Sequence, residues 1–297
     1  MKSFRFLSLI AGLSVMLASC AGSIDPEDNG GNPDDGSDRP GDVTGQVVSV
    51  YQQKMVAMQF TSVGCVNCPF LADAIKDVQQ KQPGKIIPVA FHLNYDIEDP
   101  MTLPECGKFY ERVSYDGSQT IALPMCALNF RKSSQRIVNE SAKIISEISH
   151  QAQQYPVSSG VAVSTEYDNQ TRSLTVTAKF ISETSKVARY HIILVEDGIE
   201  YMQVGSETSN YVHNNVFRYV ASDDMRGARL NSGDPLTPGK EYEVTKKITL
   251  KESWNPESMR VVVALLTPDG SGDVFGCNNA NECAVGASVD YLYKDEK

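Results

Sequence analysis

The stretch FTSVGCVNCPFLADAI, Phe60 to Ile75, constrains the fold more than any other part of the chain. Cys65 and Cys68 form a C-x-x-C, and Pro69 follows at once. Apolar residues then recur at Phe70, Leu71, Ala74, Ile75 and Val78, a helical period. Proline suits the first turn of a helix, where its missing N–H costs nothing. Ahead of the pair, KMVAMQF (Lys54–Phe60) reads as a buried strand; behind it, Gln82-Pro83-Gly84 stops the helix. Unpaired N–H groups and the positive end of the helix dipole stabilise a thiolate at such a mouth. Cys65 is therefore expected as an exposed nucleophile. Cys68, about one turn on, is the less accessible sulfur that attacks a mixed disulfide formed at Cys65.

Three uses fit the pair: an exchangeable dithiol, a fixed disulfide in a fold that has lost its chemistry, and half of a zinc site. Zinc is the weakest, because a structural site wants a second close ligand pair, and Cys106 and Cys126 stand 20 residues apart. The four histidines are scattered and make no H-E-x-x-H. Walker, dinucleotide and G-x-S-x-G signatures are absent from the sequence as well. No cofactor and no metal are expected.

Further along, KIIPVAFHLN (Lys85–Asn94) reads as a second strand and Pro104–Val113 as a short helix. IALPMCALNF (Ile121–Phe130) is a strand entered through a proline, Arg136–Val138 a fourth strand, and Glu140–Tyr155 a closing helix. From Ser159 the pattern changes to alternation, in GVAVSTEY, SLTVTAKF, RYHIILVEDG, YEVTKKITL and MRVVVALLTPDG. Short alternating runs between turn signals predict an antiparallel sandwich. Pro156 and two serines mark the change. The expected organisation is an α/β domain over 46–156 and an all-β, immunoglobulin-like sandwich over 157–297.

The ends set the compartment. Lys2 and Arg5 precede the apolar FLSLIAGLSVML, which has secretory length. LASC, Leu17 to Cys20, resembles a bacterial lipobox, which implies a lipoprotein signal peptide over 1–20 and an acylated Cys20 as lipid anchor. Residues 21–45 read as a disordered acidic tether, with seven acids against one arginine and little to bury. A net charge of −10 with no basic stripe argues against nucleic acid. Export to an oxidising compartment makes disulfides the default for the cysteines. A lipid-anchored place on the outer membrane, periplasmic or surface-exposed, is expected.

The first half resembles a thioredoxin fold: strand, C-x-x-C, helix, strand, and then a strand entered at Leu123-Pro124. The resemblance implies a cis bond before Pro124 and a role for Leu123 in pairing its backbone with an extended client. Three departures stand out. Gln59 occupies the position six before the first cysteine, where thioredoxins bury an aspartate. Val63-Gly64 replaces the usual tryptophan, and roughly Asp96 to Gln119 is extra. The mature chain as a whole resembles the Bacteroidetes outer-membrane lipoproteins often labelled the twenty-eight kilodalton outer membrane protein family. The residues that carry this are FTSVGCVNCP, LPMCALNF and YVHNNVFRYVASDDMRG (Tyr211–Gly227).

Cys126 lies two residues past Pro124 on one strand, and Cys106 on the inserted helix. A Cys106–Cys126 disulfide is expected to pin the insertion; a second exchangeable pair and buried thiols are the alternatives. Cys277 and Cys283 enclose NNANE and are expected to close a local loop. His92 reads as a core or edge histidine bonded to backbone, His213 as part of a turn in the sandwich with a ligand site as the alternative, and Trp254 as a packing residue at the sandwich rim. Two main functions follow, with carbohydrate or peptide capture by the sandwich alone as a third idea. One is thiol–disulfide exchange with client protein thiols or disulfides, with Cys65, Cys68, Pro124 and Leu123 as the working residues. The other is a non-catalytic surface lipoprotein, an adhesin or accessory subunit, whose C-x-x-C stays closed.

Overall fold

A computed structural model describes residues 49–114, 120–132, 137–222, 224–270 and 274–294. The expected signal peptide and tether, with Cys20, lie outside the described residues. Strand β1 (Met55–Thr61) is buried at every position, as a continuous apolar run between covered faces must be. Helix α1 (Cys68–Lys81) carries Pro69 in its first turn and buries Cys68, Leu71, Ala74, Ile75 and Val78. Strand β2 (Ile86–His92) runs parallel to β1. Helix α2 (Pro104–Val113) precedes strand β3 (Met125–Leu128), which is antiparallel to β1. Helix α3 (Ser141–Gln154) closes this half. The strand expected at Arg136–Val138 is reduced to one bridge between Cys126 and Ile137; residues 133–136 lie outside the described residues.

Apart from two short 3-10 turns, at Asn231–Gly233 and Pro256–Ser258, the described regular elements of the second half are strands: β4 (Ser159–Asp168), β5 (Ser173–Ser182), β6 (Arg189–Glu196), β7 (Ile199–Tyr201), β8 (Tyr211–His213), β9 (Val216–Val220), β10 (Ala228–Arg229), β11 (Glu241–Thr249), β12 (Met259–Pro268), β13 (Phe275–Ala284) and β14 (Ser288–Val289). One sheet has the order β11-β5-β4-β14. A second runs β13-β12-β6-β9-β2-β1-β3, with β10 on β6, and β7 pairs with β8 as a two-stranded ribbon. Strands of both expected domains therefore share one sheet, and Val47–Lys297 form one compact unit.

The joint between β2 and β9 has a single residue pair, Ala90 with Val216. Its backbone bond, Ala90 N–H to the Asn215 carbonyl at 2.7 Å, is worth about 1 kcal/mol. Packing holds the joint instead. The Phe91 ring lies 5.0 Å from Phe217, 5.0 Å from Phe109 and 5.2 Å from Phe60, and all four are fully buried. Each such side chain contributes about 1.5–3 kcal/mol by burial, so the aromatic stack outweighs the ladder.

Strand β13 sets a second seam. Asn278, Asn279 and Asn281 are buried there, each bonded to backbone. The Asn278 side chain accepts from Ser158 N–H at 3.0 Å and donates to the Pro156 carbonyl at 3.1 Å. That of Asn279 accepts from Lys54 N–H at 2.9 Å and donates to the Gln52 and Ser159 carbonyls at 3.1 and 2.8 Å. The expected domain boundary at Pro156 and the serines after it is thus fastened to β13. Between the two sheets, Val163, Val176 and Phe180 face Ile192, Leu194 and Val263, with Trp254 buried at 6% exposure in the same cluster.

Candidate functional site

The loop between β1 and α1 turns tightly: Cys65 N–H donates to the Ser62 carbonyl at 3.1 Å, and Cys68 N–H to the Cys65 carbonyl at 3.2 Å. Cys65 and Cys68 form a disulfide, with Cα atoms 5.4 Å apart. Cys68 is the first residue of α1. Leu123–Pro124 is a cis bond, and Leu123 belongs to the same apolar cluster as both cysteines.

Cys65 is not the exposed sulfur expected from its place before the helix. It is 2% accessible and Cys68 1%. The segment joining β7 to β8 lies against this loop. Gln203 Nε2 stands 3.1, 3.3 and 3.0 Å from the carbonyls of Ser62, Val63 and Cys65. Val204 N–H donates to the Val63 carbonyl at 2.8 Å. Gly205, at φ +84°, presses so closely that a Cβ there would sit 2.3 Å from the Val66 carbonyl oxygen. Val66 and Phe70 stay exposed beside this strap.

Behind the loop lies a buried polar pair. His92, the last residue of β2, places Nδ1 2.7 Å from Asp99 Oδ2. Asp99 also accepts from the Val63 and Met101 N–H groups, both at 2.9 Å. Burial pushes its carboxyl up, but the His92 bond and charge and the two N–H groups outweigh this, and it lies below the usual carboxylate range. The expected backbone partner of His92 is thus a carboxylate. The His213 ring stands 5.2 Å from that of His92 and 4.8 Å from that of Tyr211. Burial pulls His213 down to about 4, helped by the charge of His92, so its ring is neutral at neutral pH. Its Nε2 is buried and has no partner among the described residues. His213 ends β8 just before the Asn214-Asn215 connection to β9, and it lines the cleft beside α1.

These groups open on a cleft of about 600 Å³ between α1 and the β8–β9 segment. Gln59, Thr61, Cys68, His92, Gln203 and His213 line it. Sequence reasoning marked Cys68 as a working residue and Gln59 as a departure from the thioredoxin pattern, and read His92 and His213 as structural. It missed Asp99, which nothing distinguishes from Asp96 and Glu98 beside it, and Gln203, which meets the loop from 138 residues away. Among the described residues no group of three or more His, Cys, Asp or Glu side chains is placed to hold a metal ion.

Two expected disulfides are corrected. Cys106, Cys126, Cys277 and Cys283 are buried thiols. Cys106 packs in the cluster of α2 and the Phe60–Phe91 stack, while Cys126 packs on the other face with α1 and α3. The sheet lies between them. Cys277 and Cys283 do not flank a loop, because NNANE is the middle of β13. A register shift at Leu265/Leu266 interrupts the alternation of β13. Cys277 falls into one core cluster and Cys283 into another.

The comparisons place this geometry among known proteins. HBP35 of Porphyromonas gingivalis superposes with a TM-score of 0.65 at 14% identity, over 80% of this chain and 76% of that one. A protein of known structure from Agrobacterium tumefaciens gives 0.51 at 16% identity, over 79% and 96%. At such identities the likeness is one of fold. No curated protein sequence matches the chain. The family model described as outer membrane protein Omp28 matches residues 114–288, which include the cleft's His213 and Gln203 but begin after the C-x-x-C. That match spans more than half of the sequence, and the chain belongs to the Omp28 outer membrane protein family.

Proposed function

We propose that this outer membrane protein is a lipid-anchored thiol–disulfide exchange protein of the cell envelope. The observation that carries the reading is the Cys65–Cys68 disulfide closed at the mouth of α1. A parallel β1–β2 pair linked through α1, with β3 antiparallel beside β1 and Leu123-Pro124 leading into it, supports a thioredoxin-like reading of the first half. The facing sheets support an immunoglobulin-like reading of the second. In this scheme Cys65 attacks a client sulfur, Cys68 resolves the mixed disulfide, and Leu123 with Pro124 offers backbone to the client. The lipobox-like Leu17–Cys20 supports anchoring through Cys20, with the acidic tether letting the folded part range about 25–30 Å from the membrane.

The burial of Cys65 under Gln203 and Val204 favours a second reading, a surface lipoprotein in which the disulfide is a staple. Redox titration of a soluble form beginning at Val43 separates the two. Exchange is supported by a potential above about −300 mV, with loss of model-disulfide turnover in Cys65→Ala; a pair that stays oxidised below that value is a staple. Loss of membrane partitioning in Cys20→Ala tests the anchor.

A further inference from the structure

We propose that His92, braced by Asp99, is the proton acceptor for Cys68 in the resolving step. The inference rests on the exchange reading of the C-x-x-C. A buried thiol attacks only after losing its proton, and burial opposes that loss. Gln59 points to the same face of β1 as Thr61, beneath the start of α1, and a carboxamide has no basicity to offer. His92 pairs with Thr61 in register on β2, and Gln59 pairs with Ala90, two residues before His92. Cys68 and His92 then line one cleft. Asp99 occupies Nδ1 of His92, which leaves Nε2 as the nitrogen for the cleft. His213 adds a buried acceptor in that cleft, its Nε2 without a partner among the described residues. Such an acceptor is used when a donor arrives beside it, and a protonated His92 ring is one.

The step balances as follows. A client disulfide has been attacked by Cys65, releasing one client thiolate and leaving the other client sulfur bonded to Cys65. Cys68 gives its proton to His92 Nε2, and its thiolate attacks the Cys65 sulfur. The Cys65–Cys68 bond forms and the client–Cys65 bond breaks. The client sulfur leaves with the electron pair and collects the proton from the imidazolium. Two electrons pass from the dithiol to the client.

Asp99 and His213 are positioning residues here. The other titratable groups around His92 are Cys106 from α2, Tyr211 from β8, Asp73 and Lys76 from α1, and Asp197 after β6. His92 is therefore tested by substitution.

The test uses the reduced soluble chain and 5,5′-dithiobis(2-nitrobenzoate). The first aromatic thiolate released reports attack by Cys65; the second reports resolution by Cys68 and is absent in Cys68→Ser. In His92→Gln the second release is expected to slow at least tenfold at pH 7, with the first unchanged. Its rate should then climb about tenfold per pH unit, following hydroxide. Adding Gln59→Asp should restore much of the loss. A second release with the parent rate and pH profile in His92→Gln overturns the proposal, as does no recovery with Gln59→Asp. Should His92→Gln fail to fold, the parent protein decides: a second release following hydroxide from pH 6 to 9 overturns it. Absence of the first release from the reduced parent removes the exchange reading itself.

Discussion

Gln203 Nε2 lies 3.0 Å from the Cys65 carbonyl, although 138 residues separate the two. The contact ties the family-matched half of the chain to the C-x-x-C loop. The strap that carries Gln203 thus lies against the loop that holds Cys65, which is 2% accessible.

Gln203→Ala should therefore unfasten the loop. It leaves the carbonyls of Ser62, Val63 and Cys65 without this donor, at a cost of about 1–3 kcal/mol. Reduction of Cys65–Cys68 by dithiothreitol, followed by mass spectrometry of alkylated protein, should quicken several-fold. Gly205→Ala, which drives a Cβ against Val66 at a positive φ, should act in the same direction. Unchanged reduction rates in both would show that the strap does not guard the sulfur.

Much of the first half was legible because its signals are local. Five apolar positions at helical spacing behind Pro69 specify α1, and unbroken apolar runs specify β1 and β2. What stayed hidden depends on distant partners. NNANE has the composition of a loop, yet Asn278, Asn279 and Asn281 are buried because each finds backbone partners supplied by other segments. The sharing of one sheet by both halves rests on a single bridge and a stack of phenylalanines far apart in sequence. Asp99 is one acid among several until His92 meets it.

The cysteine arrangement predicts a thiol count. Burial pushes the thiols of Cys106, Cys126 and Cys277 up to about 12, so thiolate is scarce at ordinary pH. The soluble form from Val43 should show negligible alkylation by iodoacetamide at pH 8 while native and unreduced. Denatured without reductant, it should take up four labels, at Cys106, Cys126, Cys277 and Cys283. Two labels, with any of these four bridged, would restore a disulfide that the fold separates.

The shared sheet predicts that the first half does not fold alone. Cutting at residue 156 strips β9 from the open edge of β2 and Phe217 from Phe91. It also removes Asp269, which holds Arg131 through two bonds of 2.8 Å, and the Cys277 carbonyl, which accepts from Arg131 at 2.7 Å. Arg131 is 5% exposed, and breaking a buried ion pair by losing one partner costs about 3–5 kcal/mol. A fragment of residues 46–156 should give no cooperative urea transition, whereas the whole chain gives one transition by fluorescence and circular dichroism alike. Arg131→Ala in the whole chain should lower stability by a similar 3–5 kcal/mol. A fragment that melts cooperatively would show two independent domains.

Acid should weaken the fold before any carboxylate is protonated. Burial, reinforced by the nearby charge of Arg112, pulls His191 down to about 3; burial and His92 pull His213 down to about 4. The unfolded chain protonates both near 6.5, so below that pH it binds protons that the native state refuses. Stability is complete above about 6.5 and falls as pH drops toward 4, where His213 begins to titrate in the fold. Each ring contributes a slope of about 1.4 kcal/mol per pH unit, so roughly 2–3 kcal/mol per unit is expected for the two. The lowered carboxyls of Asp99 and Asp224 act in the same sense only nearer pH 4 and below. Urea midpoints at pH 7, 6 and 5 measure this directly. His191→Phe, whose ring would keep the contacts to Phe109 and Phe130, should remove about half of the slope. A stability flat from pH 7 to 5, or a slope untouched by that substitution, would mean that one or both rings already carry their proton in the folded protein.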